Sequence, residues 1–135
     1  MGGDGPFPPE LRRFRDLFNA GDCWEAHEAL EERWRALRSP FYHGLILLAS
    51  AWVHVERENP HGIDAQLRKA LAVLHGFPPA YLGVDVAALR RAARAGRRRV
   101  RLARSRGDAP DWSALVPRPP LVLDPERVRG DELEG

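Results

Sequence analysis

Proline and glycine fall in this chain at intervals that leave room for helices and for little else. Pro9 can open a first helix running to about Ala20, with Leu11, Phe14, Leu17 and Phe18 on one face, and Gly21 stops it. Asp22 reads as the cap of a second helix, with Glu25 three residues on in the spacing of a capping box, and that helix runs to about Leu37. Ser39-Pro40 and Asn59-Pro60 repeat one signal: a residue that accepts from the free N–H groups of a first turn, then a proline that needs no partner there. They predict a third helix from Phe41 to Glu58 and a fourth to about His75. The stretch GFPPAYLG breaks the chain, and Asp85 can cap a fifth helix ending near Gly107. Strand signals are missing.

The links between the first four helices are only a few residues long, which forces neighbours to run antiparallel. The expected fold is therefore all-α, a compact bundle of about five helices. Residues 1–107 read as the bundle domain. Residues 108–135 read as a Pro-rich tail, with five prolines after Gly107, packed in part at 112–123 through Trp112 and the LVL at 121–123 and disordered from Asp124 onward. At 135 residues one domain can bury roughly two thirds of the surface of its unfolded chain.

Composition narrows the function classes. Cys23 is the single cysteine, which excludes an internal disulfide and a Cys-rich zinc site and suits a reducing cytoplasm. The opening MGGDGPFPPE has neither an apolar core nor a basic start, so it does not read as a signal peptide. Pro6 stands where a myristoylation signal at Gly2 needs Ser or Thr. The longest apolar run, Phe41 to Val55, carries two His and a Ser and is shorter than the roughly 20 residues of a membrane span. A cytoplasmic, soluble protein without a membrane partner is expected.

The second helix carries the chemistry. Its segment WEAHEALEERW, residues 24–34, holds two Trp, one His and four Glu. At about 100° per residue, Cys23, Ala26, Leu30, Trp34 and Leu37 share a core face, and Trp24, His27, Glu28 and Glu31 form a strip along its edge. On the third helix Phe41, Leu45, Leu48, Trp52 and Val55 make the apolar face, and His43, Ser50, His54 and Arg57 a narrow polar line. In a hairpin of these two helices, residues whose numbers sum to about 78 sit level. That sets His54 beside Trp24 and Ser50 beside Glu28.

Three readings of the strip follow. The charges can pair with Arg35, Arg57 or the backbone, because half-buried charge left unpaired costs several kcal/mol. They can line a pocket for a small molecule or a metal, since His and carboxylate side chains on adjacent turns are usable ligands for zinc, manganese or iron. Or His27 or His54 can act as a general base oriented by Glu28 or Glu31. The strip has neither His-Glu-x-x-His nor the Glu-x-x-His of di-iron bundles, because Trp24 stands where that Glu would be. No nucleophile stands out: Cys23 points to the core and Ser50 lies in an apolar run. The preferred reading is the pocket, lined by Trp24, His27, Glu28, Glu31, Ser50 and His54, between the second and third helices. The sequence names no reaction, cofactor or metal for it.

The runner-up uses the fifth helix. From Asp85 to Gly107 there are nine Arg against one acidic residue. Arg90, Arg94, Arg97, Arg101 and Arg104 recur at spacings of four and three, flanked by Arg91 and Arg98, in a row about 21 Å long at about 1.5 Å per residue. Arg90, Arg94, Arg97, Arg98, Arg101 and Arg104 are the candidate contacts for an anionic partner such as nucleic acid. Against it stand a net charge of only +2, no aromatic residues among the arginines, and no helix-turn-helix pattern. A third reading is a structural or oligomeric module without a ligand, in which acidic and basic faces meet across copies. A homodimer is the commonest such assembly.

The stretches FNAGDCWEAHEALEERW, FYHGLILLASAWVHVERENPHG and LRKALAVL resemble the bacterial and archaeal family known as domain of unknown function 309. The resemblance covers about residues 11–75, with GVDV and the helix after it a fainter continuation. It implies a small all-helical fold and implies no reaction. That family tends to carry Gln near the positions of His43 and Leu47, where this chain has none.

Overall fold

A computed structural model describes residues 7–127. The chain folds as α1 (Pro9–Ala20), α2 (Cys23–Leu37), α3 (Pro40–Glu56), α4 (Pro60–Leu74), a ribbon of β1 (Ala80–Tyr81) and β2 (Val84–Asp85), α5 (Val86–Arg106) and the single turn α6 (Trp112–Leu115). A 3₁₀ turn at Pro125–Arg127 follows. Three of the expected caps form. The Ser39 hydroxyl accepts from the Tyr42 N–H at 3.2 Å, Asn59 Oδ1 from Gly62 at 3.2 Å, and Asp85 Oδ1 from Ala88 at 3.0 Å. Each satisfies a first-turn donor that would otherwise need water.

Asp22 is the exception. It makes no side-chain cap bond, so the capping box with Glu25 does not form. Its backbone is committed to the end of α1. Gly21 N–H donates to the Phe18 carbonyl at 3.1 Å and Asp22 N–H to that of Leu17 at 2.9 Å, the paired bonds of a Schellman motif.

Consecutive helices pack on one another, α1 on α2, α2 on α3, α3 on α4 and α4 on α5. α3 is the axis. Phe41, Tyr42, Leu45, Leu48, Ala49, Ala51, Trp52 and Val55 are among its buried residues, and together they occupy most of its circumference. Around it Phe14, Phe18, Leu30, Ile63, Leu67 and Leu74 are fully buried, and each such side chain contributes about 1.5–3 kcal/mol. Leu37 departs from its expected core position and is 38% exposed. It is the last residue of α2, and Arg38, at φ 53, turns the chain away directly after it.

The absence of strands also needs correction. β1 and β2 pair antiparallel, Ala80 with Asp85 and Tyr81 with Val84. Leu82 and Gly83 form the turn with φ of 52 and 81, both positive, as a two-residue hairpin loop requires. Leu is disfavoured there by its Cβ, so the sequence signal was weak. Complete burial of the Leu82 side chain holds it in place.

The tail is a strap across the bundle. Trp112, Val116, Leu121 and Leu123 are buried. Trp52 Nε1 donates to the Val116 carbonyl at 3.0 Å. The Asn19 carboxamide holds both main-chain groups of Leu121, at 2.7 and 2.8 Å. Gly96 lets the strap lie close on α5, because a Cβ there would come within 2.9 Å of Val116 Cγ1. Asp124 N–H donates to the Gly83 carbonyl at 2.8 Å, tying strap to ribbon. The rest of the expected disordered end, from residue 128, lies outside the described residues, as do residues 1–6. Among the described residues no helix is long and apolar enough to cross a membrane.

Candidate functional site

Cys23, Ala26 and Leu30 anchor α2 in the core. Their burial sets the rotation of the helix and turns the strip at their edge outward. His27 lies between two carboxylates: Nδ1 is 3.3 Å from Glu28 Oε2, and Nε2 is 3.4 Å from Glu31 Oε2. One ligand atom from each of the three lies within 4.8 Å of the other two. The Trp24 ring stacks on the His27 imidazole at 5.5 Å with 7° between planes, and the Arg57 guanidinium stands 6.0 Å from the Trp24 ring centre. Glu31 is also paired with Arg35, one turn further along α2. His27 and Glu31 are about four-fifths covered, at 20% and 22% exposure, whereas Glu28 is 54% exposed.

The expected meeting of α2 and α3 is visible at both ends of their contact. Trp34 stacks on His43 at 4.8 Å, and Trp24 lies beside Arg57. Both pairs fall within a turn of the expected register. The most exposed members of the strip, Trp24 and Glu28, open to solvent along α2. The cleft that Glu28 lines is on the other flank, between α1 and α2, with Glu10, Arg13, Glu32, Arg33 and Leu37, and holds about 380 Å³.

His54 has a separate task. Its Nδ1 accepts from Asn59 Nδ2 at 3.2 Å, while Asn59 Oδ1 caps α4. A Cβ on Gly62 would fall 2.4 Å from that nitrogen. The imidazole thus packs on the first turn of α4, with its proton on Nε2. Partial burial, then the charges of Arg57 and His61, hold its pKa below the usual 6.5. It is not part of the three-residue ligand group, and Ser50 is half-exposed on the same side of α3. The Cys23 thiol is pushed up to about 11, chiefly by burial, with Arg118 opposing the shift. It stays protonated at neutral pH and is no nucleophile.

The arginine row of α5 divides in two. Arg90 donates to the carbonyls of Leu74 and Phe77 at 3.0 and 2.8 Å, placing a cation on the C-terminal end of α4. Arg97 Nε binds Asp64 Oδ1 at 2.7 Å, and Arg104 stands 3.9 Å from Oδ2 of the same carboxylate. These three were expected to face an external anion. They face α4 instead, because they recur every seven residues along the edge of the apolar stripe of α5. Arg94, Arg98 and Arg101 are exposed, and among the described residues no ion pair or hydrogen bond engages them. The role of Asp64 escaped the sequence reading. The heptad spacing of Arg90, Arg97 and Arg104 was the signal that could have located it.

No curated protein matches the chain. Residues 11–65 match the model of the family described as Domain of unknown function (DUF309). The matched stretch runs from α1 into α4 and takes in the whole strip of α2, while the arginines of α5 and the strap lie beyond it. Over this segment, 55 of the 135 residues, the chain is similar to the DUF309 family.

Proposed function

We propose that the protein binds a divalent transition-metal ion at His27, Glu28 and Glu31 and presents it to a small molecule at the surface of α2. The observation that carries this reading is the convergence of one imidazole nitrogen and two carboxylate oxygens within 4.8 Å. A donor set of one nitrogen and two oxygens suits zinc, manganese or iron(II) better than a soft ion. Three protein ligands leave coordination positions open, as in sites that exchange water for substrate. Glu28 faces solvent, so those positions are accessible, and Trp24 supplies an apolar wall beside them.

The test is a thermal shift on chelator-treated protein titrated with zinc, manganese and iron(II). A metal at a hundredfold excess over its Kd stabilises the fold by about 2.7 kcal/mol. His27→Ala and Glu31→Gln are expected to remove that gain. No shift with any of the three metals, and none found by elemental analysis of protein purified without chelator, overturns the reading.

A second reading, an anionic partner such as nucleic acid, is favoured by the exposure of Arg94, Arg98 and Arg101. If it holds, changing these three to Glu abolishes low-salt retention on heparin or DNA. Unchanged retention ends it.

A further inference from the structure

The exposed arginines of α5 have a counterpart on α4. Arg90 meets Leu74, and Arg97 meets Asp64, so the two packed helices run antiparallel. Asp64 stands between Arg97 and Arg104, level with about Val100. Four residues up α4 is four residues down α5, so Arg68 comes level with Gly96, between Arg94 and Arg98. The step of i+4 also turns it about 40° further from the core than Asp64, as the step from Arg97 to Arg101 does on α5. One bank of the α4–α5 seam thus carries Arg68 and the other Arg94, Arg98 and Arg101. All four are exposed, and among the described residues no ion pair or hydrogen bond engages any of them. Asp64, the carboxylate in the seam, already serves Arg97 and Arg104. Asp108 follows Gly107 outside α5 and makes no ion pair with the row. A group of like charges on two helices, with its one acid spent, has no internal partner left.

From this arrangement we infer that the α4–α5 seam docks the sugar-phosphate backbone of double-stranded DNA, with Arg68 a phosphate contact alongside Arg94, Arg98 and Arg101. The inference rests on the anionic-partner reading above and names its partner. Neither α4 nor α5 contains Phe, Tyr or Trp, so the face offers unstacked bases no such ring to lie on, and a single strand gains little there. Guanidinium groups donate and accept nothing. Duplex RNA is recognised in part through its 2′-hydroxyls, and the carboxylate that could accept from one, Asp64, is occupied. Phosphates along a duplex are what donors alone can hold, and they carry no sequence information. The seam lies apart from His27, Glu28 and Glu31, so DNA on it leaves the proposed metal group open.

Fluorescence anisotropy with the full chain tests it, in chelator-containing buffer so that no metal bridges the phosphates. The probes are a labelled DNA duplex of random sequence, the matching RNA duplex, and single-stranded DNA with the same number of phosphates. The wild type is expected to bind the DNA duplex tightest. Four phosphate contacts give a slope of about −3.6 in log K against log salt. Arg68→Gln is expected to lower duplex affinity about tenfold at about 50 mM salt and to reduce the slope by about 0.9. Lys69→Gln is the control: it removes a charge from the same helix about 100° round from Arg68, and should change neither. Both positions are exposed, so circular dichroism should be unaltered. The inference is overturned if single-stranded DNA or duplex RNA binds as tightly as duplex DNA, or if Lys69→Gln costs as much as Arg68→Gln. Loss of binding in the triple Arg94, Arg98, Arg101→Glu variant with Arg68→Gln unchanged removes this inference and leaves the anionic-partner reading standing. A wild type that binds none of the three probes removes both.

Discussion

α2 and α5 both look, in sequence, like helices with a surplus of one charge along a face, and the fold uses them in opposite ways. On α5 the inner arginines are spent on α4: Arg90 on its terminal carbonyls, Arg97 and Arg104 on Asp64. On α2 the carboxylates turn to a histidine of their own helix and stay at the surface. The difference lies in phase relative to the core. A spacing of seven keeps a side chain on the border of the apolar stripe, where a neighbouring helix can reach it. A charge a further 40–80° round faces water. Counting charges on a helix thus says little about a partner until the edge residues that the fold has already engaged are subtracted.

The contrast within α5 is the easiest to break. Arg90→Ala removes two charge-assisted hydrogen bonds to half-buried carbonyls and is expected to cost about 1–3 kcal/mol in urea denaturation. Arg94→Ala should stay within about 0.5 kcal/mol. Equal effects would dissolve the division into inner and outer arginines. Asp64→Asn is the next largest. The Asp64 and Arg97 side chains are 21% and 28% exposed, so solvent screens the pair in part, and a loss of about 1 kcal/mol is expected.

The smallest effect is in pH and concerns His54, another polar group held by a neighbour. Its pKa is lowered from 6.5 in the fold. Below 6.5 the unfolded chain therefore takes up a proton that the folded chain resists. The contribution of His54 is complete above pH 6.5 and is lost as pH falls toward the folded value. In His54→Gln, the melting point should fall less between pH 7 and pH 5 than in the wild type. A steeper fall in the variant would contradict the neutral, Asn59-bonded imidazole.

Much of the bundle was legible because helix starts are decided locally. Ser39, Asn59 and Asp85 each sit three residues from the N–H they accept, and the proline that follows Ser39 and Asn59 marks the same boundary. The failures were non-local. Asp22 resembled a cap, but its backbone also ends α1. Leu82 entered a left-handed turn because the core needed its side chain. The strip itself was legible, since Trp24, His27, Glu28 and Glu31 share a helix and their mutual distances follow from helical geometry. What His54 and Ser50 do was not, because it depends on how α3 is rotated against its neighbours.

The sequence by itself determined that this chain makes helices, where they begin, and that one of them brings an imidazole and two carboxylates to adjacent turns. Backbone hydrogen bonding over three to four residues is enough for that. The tertiary structure alone decided which charges remain open. Burial of Cys23, Ala26 and Leu30 turns the strip of α2 outward. The close packing of α4 on α5 gives Arg97 and Arg104 a carboxylate and leaves Arg94, Arg98 and Arg101 facing water. The cost of taking a charge out of solvent is set by whatever lies within a few ångströms, and in this fold those neighbours come from distant parts of the chain.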